Sequence, residues 1–275
     1  HRVLLLVRRP SDDEGAVRWD PVGGTIDAAA LEGIDAVVHL AGAGVGDKRW
    51  SEARKREIHD SRTLGTGLLT RTLAGLDRPP AVLVSGSAIG FYGSRGDDVL
   101  TEVSAPGDDF LAGLVAEWEG AAAPAVEAGI RTVWLRSGLV LAGHGGILPR
   151  MALPFRFFVG GRLGSGRQWM SWVTLEDEVG AIRFLIDRDD LSGLVNVVAP
   201  EPVTNAEMAH ALGATLHRPA AIPVPAFAPR LLLGREMADG LLFASQRVRP
   251  DVLMAAGYGY AHTEVTAALR AVLGR

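Results

Sequence analysis

Five short apolar runs, rich in β-branched residues, occur along the chain and end near glycine, serine or arginine. They cover residues 3–7, 36–40, 81–85, 132–136 and 194–198. Runs of this length and composition are typical of strands buried on both faces of a parallel sheet. Longer stretches with helical spacing lie between them, at roughly 50–75, 109–128 and 175–188. Alternating strands and helices predict an α/β fold with a doubly wound parallel sheet.

The last quarter of the chain departs from this alternation. Thr204 and Asn205 are N-capping residues and predict a helix that extends to about Leu216. A proline-rich segment over 219–229 follows, and proline disrupts helix interiors and central strands. Three short helical stretches come next, at 230–233, 241–245 and 264–273. We therefore predict a small, mainly helical unit at the C-terminus.

Composition excludes several classes of function. Of the 275 residues, 48% are hydrophobic and 22% are charged, an ordinary globular balance. Lys and Arg total 28 against 32 for Asp and Glu, and this net charge of −4 argues against a nucleic-acid partner. Cysteine is absent and the histidines lack metal-ligand spacing, so we predict no metal site. No apolar run reaches the roughly 18 residues of a membrane span and no signal peptide is visible, which predicts a cytoplasmic protein.

Arginine follows the first predicted strand. Arg8 and Arg9 come directly after its last apolar residue. At this position of dinucleotide-binding folds, an acid binds the ribose 2′-hydroxyl, whereas an arginine accepts a 2′-phosphate. The guanidinium suits phosphate because it donates two parallel hydrogen bonds. The alternative, that both arginines only cap a strand in solvent, stays open.

Two loops of small residues follow later strands. Gly42, Gly44 and Gly46 come after the second, and no helix starts directly behind them, which favours a loop lining a cofactor over a phosphate cradle. Residues 85–93 follow the third strand, where open α/β sheets bind ligands. A serine such as Ser87 can hydrogen-bond a substrate carbonyl or hydroxyl there. A plain turn of glycine and serine is the alternative.

Nine segments together resemble the extended short-chain dehydrogenase/reductase superfamily, in particular its NAD-dependent epimerase/dehydratase group. The likeness is to an atypical sugar-epimerase-like branch that carries a small C-terminal domain of unknown function. The segments are VRRP, VVHLAGAGVGDKRW, KREIHDSR, VLVSGSAIGFYG, GDDFLAGLVAEWE, VWLRSGLVL, GGRLGSGRQWMSWVTLEDEVGAI, LVNVVAPEPVTNAE and REMADGLLFASQRVRP. The resemblance implies a Rossmann-type domain that binds NADP(H), from 1–142 and 173–200. It also implies a small substrate or C-terminal domain, from 143–172 and 201–275.

The resemblance further implies roles for single residues. Ser87 matches the active-site serine of the superfamily. The implied cofactor contacts are Arg8, at the adenosine phosphate, Leu40, Ala41, Glu57, Arg62 and, near the nicotinamide, Leu139.

The chain departs from the family pattern at its start. The family begins with a strand and a glycine-rich turn, G-x-x-G-x-x-G, that opens a helix, whereas this sequence is expected to begin at the second strand. In the order 3-2-1-4-5-6 the first strand is central, and its absence leaves neighbouring backbone groups unpaired. We expect either a truncated or partly observed version of a longer protein, or another segment that fills the gap.

A second departure concerns proton transfer. The superfamily pairs a tyrosine with a lysine four residues later, and the lysine lowers the pKa of the tyrosine so that it can exchange a proton with substrate. Lys48 and Lys55 are the two lysines of this sequence, and neither follows a tyrosine at that spacing. Apolar side chains within 110–115 occupy the place of the pair. Tyr92 is a candidate substitute.

Two functions therefore stay open. The first is an NADP-dependent, epimerase/dehydratase-like oxidoreductase acting on a small polar substrate, with Ser87 and Tyr92 as catalytic residues. The second is a non-catalytic NADP(H)-binding protein with a regulatory or partner-binding role. The loop at 85–93 favours the first, and the apolar residues at 110–115 favour the second. No membrane partner is expected, and a homodimer is left open.

Overall fold

The computed structural model describes residues 2–9, 11–13 and 15–274. The strands are β1 Leu5–Val7, β2 Ala16–Asp20, β3 Thr25–Ile26, β4 Ala36–His39, β5 Val82–Ala88, β6 Val99–Leu100, β7 Arg131–Ser137, β8 Leu139–Leu141, β9 Trp169–Met170, β10 Trp172–Thr174, β11 Gly193–Val197, β12 Val203–Thr204 and β13 Arg247–Val248. The helices are α1 Glu52–Ala74, α2 Phe110–Gly120, α3 Ala123–Glu127, α4 Leu148–Arg156, α5 Leu175–Ile186, α6 Asn205–Leu216, α7 Phe227–Leu233, α8 Arg235–Ala238, α9 Asp251–Ala255 and α10 Val265–Leu273. Within the described part of the chain, none of these helices has the length and apolar character needed to cross a membrane.

Four of the five predicted strands lie in one sheet, in the order β11-β7-β5-β4. β4 and β5 run parallel, with Ala36 opposite Val82 and His39 opposite Ser85. The side chains of β5 from Val82 to Ser85 are all buried, as predicted for a strand that is covered on both faces. The predicted α/β fold of Rossmann type, with a parallel sheet and intervening helices, is confirmed.

The first predicted strand is placed differently. Residues 3–7 contain β1, which pairs in parallel with β2 in a separate three-stranded sheet of order β1-β2-β3. The expectation that all five runs share one sheet is therefore wrong for this run within the described structure. β2 was not predicted, because it buries only Val17 and Trp19 on one face and so lacks a continuous apolar run.

The helix predictions hold where both caps and periodicity are strong. α1 and α5 confirm the stretches at 50–75 and 175–188. α6 starts at the predicted cap, where Thr204 and Glu207 exchange hydrogen bonds in a capping box. The stretch at 109–128 divides into α2 and α3 because Pro124 has no N–H to continue a helix. α4 was not predicted.

The first of two compact units draws on residues 1–86, 116–134 and 190–193. Its core is formed by apolar side chains of α1, β5 and the α3 region. They are Leu31, Leu69, Leu73, Leu76, Leu83, Ala122, Ala125 and Ile130. A Cβ on Gly86 would lie 3.0 Å from the ring of Trp118 and 3.2 Å from the His39 carbonyl oxygen, so glycine relieves a tight contact where β5 passes the end of β4.

The second unit draws on residues 87–115, 135–189 and 194–275. Its main core packs α4, α6 and α10 around β8 and β10. The buried members are Leu141, Leu148, Ala152, Phe155, Trp172, Ala199, Met208, Ala209, Ala211, Leu212, Val265, Ala268 and Leu269. The division into two domains predicted from the sequence stays a prediction.

Two buried carboxylates lie in the first turn of α5. Asp177 accepts the Ala261 N–H at 2.7 Å, the His262 N–H at 3.1 Å and the Thr174 hydroxyl at 2.8 Å. Its backbone carbonyl accepts the Tyr258 hydroxyl at 2.9 Å. One side chain thus fixes the turn that precedes α10 against the start of α5.

Glu178, the next residue, has a weaker set of partners. The Ser137 hydroxyl donates to its Oε1 at 2.5 Å, whereas its Oε2 is buried with no hydrogen-bond partner. Burial raises the pKa of Glu178 to about 7, and the hydrogen bond from Ser137 opposes this rise. At neutral pH the side chain is therefore partly protonated.

We expect Asp177→Ala to lower the free energy of unfolding by about 1.5–3 kcal/mol, because two partly buried N–H groups lose a charged acceptor. Urea denaturation measures the change. Asp187→Ala, which removes an exposed carboxylate at the other end of α5, is the matched control and should change stability by about 0.5 kcal/mol or less. Equal effects of the two substitutions would contradict the role given to Asp177.

Glu178 should make stability depend on pH. Its pKa is raised from 4.5 to about 7 on folding, so the folded protein binds more protons across this window. The contribution of Glu178 to the free energy of unfolding is fully present below pH 4.5 and is lost as the pH rises through 7. The total loss is about 3 kcal/mol. Glu178→Gln should abolish that loss in urea denaturation from pH 5 to 8, while Glu176→Gln, at an exposed neighbour, should keep it. A Glu178→Gln profile parallel to that of the unmodified protein would refute the assignment.

Candidate functional site

In the first unit, β4 ends in a loop of small residues, 40–46. Leu40 is 56% exposed and Ala41 is also exposed, so both residues are accessible to a ligand. His39, directly before them, is buried, and its Nε2 hydrogen-bonds the Thr66 hydroxyl at 3.1 Å. Burial lowers the pKa of His39 to about 4, so its ring is neutral at physiological pH. His39 therefore supports the loop without adding charge.

Side chains of α1 hold this loop by its backbone. The Ser61 hydroxyl accepts the Ala43 N–H at 2.9 Å, and Nη1 of Arg62 donates to the Ala43 carbonyl at 2.9 Å. Nη2 of Arg54 donates to the Gly44 carbonyl at 2.6 Å. These bonds use the polar groups of Ala43 and the Gly44 carbonyl. The loop is thus fixed at its middle, and the exposed residues Leu40 and Ala41 precede the fixed part.

Glu57 and Arg62 lie on the same helix. Glu57 is exposed and pairs with Nη1 of Arg54 at 2.7 Å. The hydrogen bond from Arg54 is the main reason why the pKa of Glu57 lies below its ordinary value. Arg62 is half-buried, with its guanidinium 5.0 Å from the centre of the Trp118 ring, and burial lowers its pKa. Glu57 and Arg62 therefore both lie on the helix whose side chains hydrogen-bond to loop 40–46.

Arg8 lies in the bend that follows β1. Its side chain is exposed, and it lines an open depression with Val7, Arg9 and Ser11. Within the described residues, no hydrogen bond or ion pair joins Arg8 to loop 40–46. Arg8 is thus accessible to an anion, as its predicted role requires, and its contact with a cofactor stays a prediction.

In the second unit, Tyr92 ends the turn Ile89–Tyr92 and is fully buried. Its hydroxyl donates to Oδ1 of Asn196 at 2.7 Å and accepts from Nη1 of Arg136 at 3.1 Å. Burial raises the pKa of Tyr92, and the contacts with Arg136 and Asn196 oppose this. An acid–base tyrosine needs a lowered pKa and access to substrate. These contacts favour a structural role, and the catalytic role predicted for Tyr92 stays untested.

The same network includes a buried carboxylate. Oε1 of Glu102 accepts the Asn196 N–H at 3.1 Å and the Val252 N–H at 3.2 Å. The Arg136 guanidinium lies 3.5 Å from the centre of the Phe91 ring. Arg136 thus holds the turn after β5 through its contacts with Phe91 and Tyr92, while Glu102 joins β11 to the start of α9. Ser87 itself is buried on β5.

Leu139 starts β8 and is half-buried against the main core of the second unit. The Leu139 N–H donates to the Ser171 carbonyl at 2.8 Å, and the Gly138 N–H donates to the Val197 carbonyl at 3.0 Å. A Cβ on Gly138 would lie 2.6 Å from the Ser171 oxygen, so this close approach requires glycine. The backbone of Leu139 is fixed, and its predicted place beside a nicotinamide stays a prediction.

The segment 110–115, which the family resemblance matches to the tyrosine–lysine pair, lies in helix α2. Leu114 and Val115 of α2 are buried, and Leu111 Cβ lies 3.5 Å from the position of a Cβ on Gly90. Apolar side chains packed in this way neither donate nor accept protons. The apolar character predicted for this segment is confirmed.

Sequence reasoning missed Arg54 and Arg136. An arginine on an amphipathic helix or at a strand end is usually solvated, so neither position stands out in the sequence. The signal for Arg54 was its spacing of three residues from Glu57, which puts the two side chains on one helix face. No local signal marks Arg136, because its partners lie at distant positions in the sequence.

Two family models match the chain. The NAD-dependent epimerase/dehydratase family covers residues 23–198, and a domain of unknown function covers residues 224–272. Epimerase family protein MT2273 of Mycobacterium tuberculosis is 43% identical over 269 residues, which are 98% of this chain and 88% of that protein. Human epimerase family protein SDR39U1 is 36% identical over 276 residues, 99% of this chain and 92% of its own length.

Comparison with solved structures also gives matches to proteins of the epimerase family. The crystal structure of human SDR39U1 isoform 2 with NADPH superposes with a TM-score of 0.91 at 35% identity, covering all of this chain and 92% of that one. A nucleoside-diphosphate sugar epimerase from Corynebacterium glutamicum superposes with a TM-score of 0.81 at 36% identity, and this chain covers 53% of it. Sequence, fold and relatives thus lead to one assignment: the chain belongs to the NAD-dependent epimerase/dehydratase family.

Proposed function

We propose that this protein binds NADP(H) and acts as an epimerase/dehydratase-like oxidoreductase on a small polar substrate. The proposal depends on one observation: loop 40–46 has exposed residues at its start, and two arginines of α1 hydrogen-bond to its Ala43 and Gly44 carbonyls. The similar human protein was crystallised with NADPH, which supports the choice of cofactor.

The residues of the first unit fit a phosphate-bearing dinucleotide. Arg54 and Arg62 bring two positive charges to the loop, and Glu57 offsets one of them. The Nε of Arg54 is buried and has no hydrogen-bond partner. A Cβ on Gly42 would lie 3.1 Å from Cζ of Arg62, so the loop passes close to the guanidinium. Arg8 would hold the adenosine phosphate, and Leu40 and Ala41 would line the cofactor.

When bound, NADP(H) would supply the chemistry of hydride transfer to or from a carbon atom of the substrate. The chain must then bind the substrate oxygen and handle its proton. We assign the first task to Ser87, whose hydroxyl can donate a hydrogen bond to a carbonyl or accept one from an alcohol. Because α2 supplies no tyrosine and lysine, the proton would come from the substrate or from water.

A second candidate function is non-catalytic binding of NADP(H) in a regulatory or partner-binding role. Two observations favour it. The Tyr92 hydroxyl is fully buried and bonded to Asn196 and Arg136, and α2 packs apolar side chains where the superfamily has its proton-transfer pair. Cofactor binding without turnover is the expected behaviour of such a protein.

Arg8→Ala should weaken NADPH binding about tenfold or more and leave NADH binding nearly unchanged, because a charge-assisted contact with the additional phosphate is lost. Isothermal titration with each cofactor measures both affinities. Arg71→Ala, which removes an exposed arginine in the last turn of α1, controls for general charge effects. Equal weakening of both cofactors, or equal affinity of the unmodified protein for both, would argue against the phosphate contact.

The enzyme hypothesis predicts NADPH consumption with at least one member of a panel of carbonyl compounds and nucleotide sugars. Ser87→Ala should lower that turnover by on the order of 10²-fold, because an oriented hydrogen bond to the substrate oxygen is lost. The decrease in NADPH absorbance measures the turnover. Ser192→Ala, which changes an exposed serine, is the control. NADPH binding with no consumption across the panel would instead favour the non-catalytic function.

A further inference from the structure

A carboxylate is an unexpected neighbour for a cofactor that carries several negative charges. The family resemblance implies that Glu57 contributes to cofactor binding, yet a free carboxylate would repel phosphate. In the structure, the carboxylate of Glu57 forms an ion pair with an arginine of the same helix. Its Oε2 lies 2.7 Å from Nη1 of Arg54, three residues earlier on α1.

Arg54 is unusual among the arginines of this helix because it is nearly enclosed. Its side chain is 8% exposed, whereas that of Glu57 is 57% exposed. The backbone N–H of Arg54 donates to the Ser51 hydroxyl at the helix cap, and Nη2 donates to the Gly44 carbonyl at 2.6 Å. The guanidinium therefore connects the first turns of α1 to the middle of loop 40–46.

Glu57 completes the surroundings of this guanidinium. Arg54 and Arg62 are close enough for Arg54 to contribute to the lowered pKa of Arg62, so the two charges repel each other. The Glu57 carboxylate pairs with Arg54 on the exposed side and offsets this repulsion. It also fixes one nitrogen of the planar guanidinium, which leaves Nη2 directed at the Gly44 carbonyl.

We propose that Arg54 is a positioning residue of the cofactor loop, and that Glu57 serves cofactor binding through Arg54 rather than by touching the cofactor. The proposal rests on the proposed function, because it assumes that loop 40–46 meets NADP(H). The family resemblance implies no role for Arg54, and the proposal gives it one. Glu57, which the resemblance implies is a cofactor contact, instead holds the Arg54 guanidinium in place.

A double-mutant cycle on NADPH affinity tests this relation. Arg54→Ala should weaken NADPH binding at least tenfold, and Glu57→Gln should weaken it about threefold to tenfold in the unmodified background. In the Arg54→Ala background, Glu57→Gln should have no further effect, because its only route to the cofactor is gone. Glu52→Gln is the matched control, since Glu52 pairs with Lys55 at the same spacing on the same helix, 2.8 Å apart, and should leave affinity unchanged.

A second readout reports on the loop without cofactor. Hydrogen exchange of the backbone amides at 40–46 should become faster in Arg54→Ala and in Glu57→Gln, while exchange at 64–74 of α1 stays unchanged. Arg54→Lys keeps the charge but cannot hold both partners with a planar fork, so it should show the same exchange pattern in a folded protein. This variant keeps the proposal testable if Arg54→Ala does not fold.

Three results would overturn specific parts of the account. If Glu57→Gln weakens NADPH binding equally in both backgrounds, Glu57 contacts the cofactor directly and the proposal is wrong. If Arg54→Ala and Arg54→Lys bind NADPH like the unmodified protein, Arg54 does not position the loop. If the unmodified protein itself does not bind NADPH, the proposed function fails as well, and this outcome is distinct from the other two.

Discussion

The function proposed for the first unit depends on the hydrogen bonds between side chains of α1 and the loop after β4. Loop 40–46 has no regular secondary structure, so its backbone groups need partners from elsewhere. Arg54, Ser61 and Arg62 supply them from one face of one helix. The loop is fixed at Ala43 and Gly44, and the residues that precede them remain accessible. A loop arranged in this way is ready to meet a ligand without first being ordered, which lowers the entropic cost of binding.

The second unit uses buried polar groups for a different purpose. Glu102, Arg136 and Asn196 satisfy one another and hold the Tyr92 hydroxyl inside the fold. A network of this kind fixes the turn after β5, and its two buried hydrogen bonds to the Tyr92 hydroxyl favour a structural role for that residue. The apolar packing of α2 adds no proton donor or acceptor from Leu114 or Val115. The chemistry of the site therefore depends on whether Ser87 reaches a substrate.

The sequence predicted the features that depend on local pattern. α1, α5 and α6 follow from helical periodicity and capping residues, and β4, β5, β7 and β11 follow from apolar runs. β2 was missed because only one of its faces is buried, and the break between α2 and α3 was missed although Pro124 marks it. Features that depend on distant contacts could not be predicted. The burial of Tyr92 requires Asn196, 104 residues away, and the enclosure of Arg54 requires the carbonyl of Gly44.

The central claim is that NADP(H) lies against the loop that α1 holds. Hydrogen exchange of the protein with and without saturating NADPH tests it most directly, because it locates the bound cofactor without needing a substrate. The account predicts slower exchange at residues 40–46 and in the first turns of α1 when NADPH is bound. Unchanged exchange in these segments, with protection confined to residues 143–172 and 201–275, would contradict it.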